Sequence, residues 1–332
     1  TMSEVSTTAE PEGEGGVVHL RTRAHPDVLR LQLASDVHLE FDHEPDIPAH
    51  APVLVLCGDI GYARNCEEGD KFIRFVGRTC ERFEHVLLVA GNHEFWGTSL
   101  AEGHKWLHDN LECRFPNVWC MDKREINING VRVLGATLWT NIPVRRSHRT
   151  FEALSDTHRT FWRMADFDKV ADLAPRSEWQ RWPSLQDAAG WAPHQQRKLE
   201  QCINHSLAVY TSWFDSDVEW INERLDDDGD APCVVLTHHA PYGRDTCAPI
   251  DEEASCGAMC FTDLSANFRN PALRLWCFGH THWNRDGVEV GGVRVVSNAI
   301  GYPSGDRVKQ CEGYREYDPE LVLEVNPADT AP

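Results

Sequence analysis

The chain has 332 residues, a formal net charge of −20, 41% hydrophobic and 25% charged residues, the proportions of a globular protein with a sizeable core. The acidic balance argues against long nucleic acid as a partner, since phosphate backbones are held by clustered Lys and Arg, but it leaves room for a small phosphorylated ligand neutralised by cations. With no apolar run of about 18 residues and no apolar leader segment, neither membrane insertion nor secretion is expected; the location expected is cytoplasmic and the 12 cysteines are expected as free thiols.

Residues 1–28 read as a disordered acidic tail. The first apolar runs are "LRLQLAS" (29–35) and "PVLVLCG" (52–58), followed by a helical pattern, "GDKFIRFVGRTCERF" (69–83). Then come "HVLLVAG" (85–91), a second helical pattern (98–111) and "VRVLGATLW" (131–139). The stretch 141–226 departs from this rhythm. It reads as a helix-rich insertion carrying Phe151, Phe161, Trp162, Phe167, Trp179, Trp182, Trp191, Trp213 and Trp220, aromatics whose plain use is packing. Beyond it lie "CVVLTHH" (233–239), "LRLWCFGH" (273–280), "VRVVSN" (293–298) and "LVLEV" (321–325), then a short tail, 327–332. Strand–helix alternation predicts an α/β fold, with residues 29–326 as one domain. The close spacing of the later strands predicts a second, largely antiparallel sheet. Cys247, Cys256 and Cys260 share a Gly-rich loop whose spacing does not make a zinc site.

Five of the strands end in metal-binding residue types. In order these are Asp36 and His38, Asp59, Asn92 with His93, His238 with His239, and His280 with His282. In an open α/β sheet, groups at the carboxyl ends of strands converge on one crevice, and oxygen with imidazole donors there suits divalent ions. A pair of ions about 3.5–4 Å apart needs a bridging carboxylate, and Asp59 is the natural bridge. Asp36, His38 and one distal histidine can complete one ion; Asn92, His238 and the other distal histidine can complete the second.

The order Asp-x-His, Gly-Asp, Gly-Asn-His-Glu, Thr-His-His and Gly-His-Thr-His resembles the calcineurin-like metallophosphoesterase superfamily over residues 29–300, and "LQLASDVHLEF" (31–41) resembles its small LQLxSDxHLEF branch. The resemblance implies a four-layer α/β/β/α double β-sandwich with two divalent or trivalent ions of Mn, Fe or Zn type. It places Asp36, His38, Asp59 and His282 on one ion, and Asp59, Asn92, His238 and His280 on the other. It makes His93 the group that assists the leaving oxygen. The implied reaction is phosphoester hydrolysis by a metal-bridging hydroxide. In protein Ser/Thr phosphatases a carboxylate that orients the catalytic histidine stands where this chain has Tyr62, so a phosphoprotein substrate is not expected.

A small phosphodiester or nucleotide-type substrate is preferred. Its candidate contacts are His239, which could equally be a supporting residue, Tyr62, and Arg145 and Arg146 in the basic stretch "VRRSHR" (144–149). The loops 243–262 and 297–305 are expected to rim the site. A hydrolase of a C–N bond on the same two-ion centre is the alternative. A non-catalytic scaffold is less favoured, because every ligand position is filled.

Overall fold

The computed structural model describes residues 17–142, 165–173, 193–226, 231–252 and 257–328. Strands that are apolar at every position fit a sheet covered on both faces, and that is how these strands are used. The first sheet contains β2 (Leu29–Ala34), β3 (Val53–Cys57), β4 (His85–Val89), β5 (Val118–Cys120) and β12 (Val322–Val325), in the order β12-β2-β3-β4-β5. The second contains β1 (Val18–Leu20), β6 (Arg124–Ile128), β7 (Val131–Ala136), β8 (Cys233–Thr237), β9 (Leu273–Phe278), β10 (Arg285–Val290) and β11 (Val293–Ser297), in the order β1-β6-β7-β8-β9-β11-β10.

Alternate side chains of each strand go to different cores, as the period of two requires. Val53, Val55, Leu87 and Val89 join Val234, Leu236, Leu275 and Cys277 in the layer between the sheets. Leu54, Leu56, Val86 and Leu88 face the other way and share a cluster with Phe72, Phe75 and Val76 of α1 (Glu67–Cys80). The long helix Pro193–Asp226 contributes Leu207, Tyr210, Phe214, Ile221 and Leu225 to the same outer cluster as Leu134, Ala136 and Val235. Their spacing of three, four and seven residues is one helical face. The expected double β-sandwich flanked by helices is therefore the observed architecture. Among the described residues no helix is long and apolar enough to cross a membrane.

Two expectations need correction. The second sheet is mostly parallel: β1–β6, β7–β8, β8–β9 and β9–β11 run parallel, while β6–β7 and β10–β11 are antiparallel. The two antiparallel pairs are tight hairpins turned by Asn129-Gly130 (φ 53° and 86°) and Gly291-Gly292 (φ 62° and 87°), the mirror-image turns that suit strand twist. Close spacing marked those hairpins and not the whole sheet. The tail assigned to 1–28 is also too long, because β1 pairs with β6 from Val18↔Ile126 to Leu20↔Ile128.

Asp217 ties the long helix to the sheet. Its carboxylate accepts from the backbone N–H of Leu138 at 2.9 Å and from Lys123 Nζ at 3.3 Å. Burial pushes this carboxyl from 3.8 up to about 6, and Lys123 only partly offsets it. An acid raised in the folded state contributes stability that is complete below its unfolded pKa and lost as pH rises through the folded one. The roughly two-unit rise corresponds to about 3 kcal/mol. Asp217→Asn should therefore lose the part of the wild type's pH dependence that lies between about pH 4 and 6, read from urea midpoints of both proteins across that range. Parallel midpoint curves would rule this out.

Candidate metal centre

Strands β2, β3 and β4 lie side by side and parallel, as do β8 and β9 in the other sheet. Their carboxyl ends meet at one seam. Within each sheet the neighbouring strand ends are tied by hydrogen bonds: Asp36 N donates to Gly58 O at 2.9 Å, His38 N to Asp59 O at 3.0 Å, and Gly279 N to His238 O at 2.9 Å. The amide of His280 donates to the Asp36 carboxylate at 2.9 Å, and His238 Nδ1 donates to Cys57 O at 2.8 Å, joining one sheet to the other. Asp36, His38, Asp59, His280 and His282 all adopt left-handed backbone, with φ between 52° and 64°. Such strain persists only where the surroundings fix it, and it gathers at functional sites. Gly58 (φ 81°) admits no side chain, since a Cβ would run into His238 and the amide of Gly91.

The hydrogen bonds on the outer side of each ring assign what faces inward. His38 Nδ1 meets the Glu40 carboxylate at 3.0 Å, His238 Nδ1 meets Cys57 O, His280 Nε2 meets Met259 O at 3.0 Å, and His282 Nδ1 meets the Asp306 carboxylate at 2.7 Å. Each partner is an acceptor only, so each outer nitrogen carries hydrogen, and each inner nitrogen is the one that can turn a lone pair to the centre once free of its own proton. Asn92 behaves alike: its Nδ2 donates to Asp166 at 2.8 Å, leaving Oδ1 inward. The inward atoms crowd into two groups. His38 Nε2 and His282 Nε2 are 3.1 Å apart, with Asp36 Oδ1 3.3 Å from the latter. His238 Nε2 lies 3.0 Å from Asn92 Oδ1, 3.2 Å from His280 Nδ1 and 3.4 Å from Asp59 Oδ1. Asp59 Oδ2 faces the first group, 4.0 Å from His38 Nε2. Lone pairs set against lone pairs at these distances fit cations, and Asp36, His38 and His282 on one side with Asp59, His238 and His280 on the other can each hold one.

Asp36 and Asp59 are 0% and 2% exposed, and among the described residues neither pairs with Lys or Arg. Their charge pulls protons onto the rings instead. Burial would lower His238 and His282, but Asp59 and Asp36 respectively outweigh it and raise them to about 9 and about 10. Burial, with His238 alongside, drives His280 down to about 3. Metal ions bind in competition with such protons.

His93 stands beside this centre. Its amide donates to Asp59 Oδ1 at 2.9 Å, its Nε2 lies 3.7 Å from Asp59 Oδ2, and its ring stacks on Trp96 with centroids 3.4 Å apart. Burial would lower the imidazole, but Asp59 and then Glu40 outweigh it and raise it. Several groups support the centre in roles that the sequence does not announce. Asp166, on the short helix Asp166–Lys169 of the insertion, accepts from Trp96 Nε1 at 2.8 Å as well as from Asn92. Glu94 accepts from the amides of Ile60 and Gly91, both at 2.7 Å, and so shapes the turns that carry Asp59 and Asn92. Tyr302 sits 4.3 Å from the His38 ring and 5.2 Å from Phe41, which is 50% exposed.

The remaining predicted contacts fare differently. His239 is fully buried behind His280, with ring centroids 4.1 Å apart, rather than at the mouth. Tyr62 packs between Trp96 at 6.3 Å and the Arg64 guanidinium at 4.9 Å. Arg145 and Arg146 lie outside the described residues. Loops 243–262 and 297–305 reach the site through Met259 O and Tyr302. Cys247 and Cys260 are free thiols, and Cys256 is outside the described residues.

Since one Asp166 oxygen holds both Asn92 and Trp96, Asp166→Ala should cost about 10–100-fold in metal affinity. Competition with a chromophoric chelator measures it; an unchanged affinity would remove Asp166 from the support of the centre.

The chain is similar to several known proteins. A protein from Acanthamoeba polyphaga mimivirus, uncharacterized protein L509, is 23% identical over 299 residues, covering 82% of this chain and 91% of its own. Phosphopantetheinyl hydrolase from Mycobacterium tuberculosis shares the fold with a TM-score of 0.57 at 16% identity, over 90% of this chain and 96% of that one. A dimetal phosphatase from Danio rerio aligns at a TM-score of 0.39 and 14% identity, over 82% and 87% of the two chains. A family model described as calcineurin-like phosphoesterase matches residues 33–284, from the end of β2 to past His282, so the match takes in all five ligand-bearing strand ends. This chain belongs to that family and is a metal-dependent hydrolase.

Proposed function

We propose that the chain hydrolyses a phosphoester, with a small phosphodiester or nucleotide-type molecule as substrate. The observation that carries this is the inward set of lone pairs, each fixed by an outward hydrogen bond and grouped about Asp59. Asp36, His38, Asp59 and His282 would hold one ion; Asp59, Asn92, His238 and His280 the other. When bound, two such ions supply Lewis acidity that activates water and neutralises the phosphoryl charge.

The chain's own part is to position and to move a proton. The left-handed turns hold the ligands before substrate arrives, and the stacked Trp96 fixes the plane of His93. His93, raised by its two carboxylate neighbours, carries a proton at Nε2. It gives that proton to the leaving oxygen as the P–O bond breaks and water adds to phosphorus. A substrate with a body beyond its phosphate is favoured by Phe41 and Tyr302, which present aromatic surface beside His38. The net charge of −20 disfavours an acidic protein or polynucleotide substrate by repulsion.

The test uses Mn-, Fe- and Zn-loaded protein on bis-p-nitrophenyl phosphate and p-nitrophenyl phosphate. Asn92→Ala should abolish release, and His93→Ala should keep its metal while losing about 10²–10⁴-fold in kcat. Two bound ions with no release from either ester would overturn the phosphoesterase reading, and an unchanged kcat in His93→Ala would remove the acid.

A further inference from the structure

We propose that Glu40 is a positioning residue whose single oxygen fixes the hydrogen placement on two histidines with different tasks, the ligand His38 and the proton donor His93. The assignment of tasks rests on the phosphoesterase reading above. Glu40 Oε1 lies 3.0 Å from His38 Nδ1 and 2.6 Å from His93 Nδ1. A carboxylate oxygen accepts and cannot donate, so both rings hold hydrogen at Nδ1. That leaves His38 Nε2 as a bare lone pair toward His282 Nε2, and it leaves His93 Nε2 as the nitrogen that faces Asp59 Oδ2.

The backbone explains how residue 40 reaches both. His38 is left-handed (φ 54°) and opens the 3-10 turn Leu39–Phe41, whose first residue is buried and whose amide is tied to Ile60 O at 3.0 Å. The turn folds Glu40 back over the ring two residues before it, against His93 from a different strand end. Its side chain is 4% exposed, and its second oxygen, Oε2, is buried with no hydrogen-bond partner among the described residues. A carboxylate buried to use one oxygen twice is spent on these two rings. This also resolves the departure at Tyr62: the orienting carboxylate comes from the first motif instead of the second.

Glu40 does not hold either ring in place alone. Trp96 stacks on His93 and Tyr302 packs at a tilt against His38, so removal should free the rings to change tautomer without displacing them. Two readouts follow, one of them independent of activity. In the full-length Zn-loaded protein, 15N–1H spectra of histidine side chains should show hydrogen at Nδ1 of both rings, with His93→Gln assigning its signal. Glu40→Ala should strip the Nδ1 hydrogen from His93 and leave a neutral Nε2–H ring, a weaker acid, and Glu40→Gln, whose carbonyl oxygen can still accept from both, should not. In turnover, Glu40→Ala should lower kcat by about 10–100-fold on a phenyl ester. The loss should be clearly smaller on a p-nitrophenyl ester, which needs less protonation, and Glu40→Gln should recover most of it. If Glu40→Ala does not fold, Glu40→Asp takes its place, the shorter arm drawing the oxygen away. Wild-type rings lacking Nδ1 hydrogens, or equal losses on the two esters with unchanged spectra, would overturn the proposal. Wild-type protein that cleaves neither ester would instead sink the phosphoesterase reading, and the spectra would still decide the tautomers.

Discussion

Two ionised carboxylates at the bottom of a seam between β-sheets set the terms for everything around them. Asp36 and Asp59 are withdrawn from water in a chain that gives them no Lys or Arg among the described residues. Isolated charges in such surroundings are tenable only with compensating charge and hydrogen bonds. Backbone amides supply part of this, from His280 to Asp36 and from His93 to Asp59. The rest is a demand for positive charge that protons on His238 and His282 or metal ions can meet, and the carbonyl of Asn92 is turned inward by Asp166 to share in it.

The demand links folding to function. The two sheets share an apolar layer, but their carboxyl ends are joined through the site itself: His238 on one sheet bonds Cys57 O on the other, and Gly301 N bonds Asp36 O at 3.0 Å. The outer ring of supports draws on elements far apart in the chain. Asp306 orients His282, Met259 O orients His280, and the insertion reaches in with Asp166. The insertion is thus part of the centre's foundation as well as a cover for the sheet.

What could be read in advance follows from this division. Ligand residues stand one to four places after a buried strand, so apolar run, turn and donor are contiguous in sequence and legible together. The supports are not contiguous. Asp166 lies 74 residues from Asn92, and Glu40 lies 53 residues from His93; only the folded chain makes them neighbours. Glu94 stood in a recognised motif, but its task is to accept backbone amides, which residue type does not announce. His239, read as a substrate contact or equally a supporting residue, lies buried behind His280, on the supporting side of that choice. Strand direction failed because spacing reports hairpins and is silent about crossovers.

The left-handed backbone at Asp36, His38, Asp59, His280 and His282 also bears on how such a centre can vary by mutation. Among residues with a side chain, that conformation is entered most readily by Asn, Asp and His, and these are themselves metal donors. Their codons differ by one base. Single-nucleotide changes can therefore exchange a hard oxygen for a borderline nitrogen, or a charged donor for a neutral one, with little new backbone strain, while β-branched replacements meet a steric barrier. The main chain of this seam restricts variation to an alphabet of ligands, so that lineages can retune metal preference while the fold that carries it stays put.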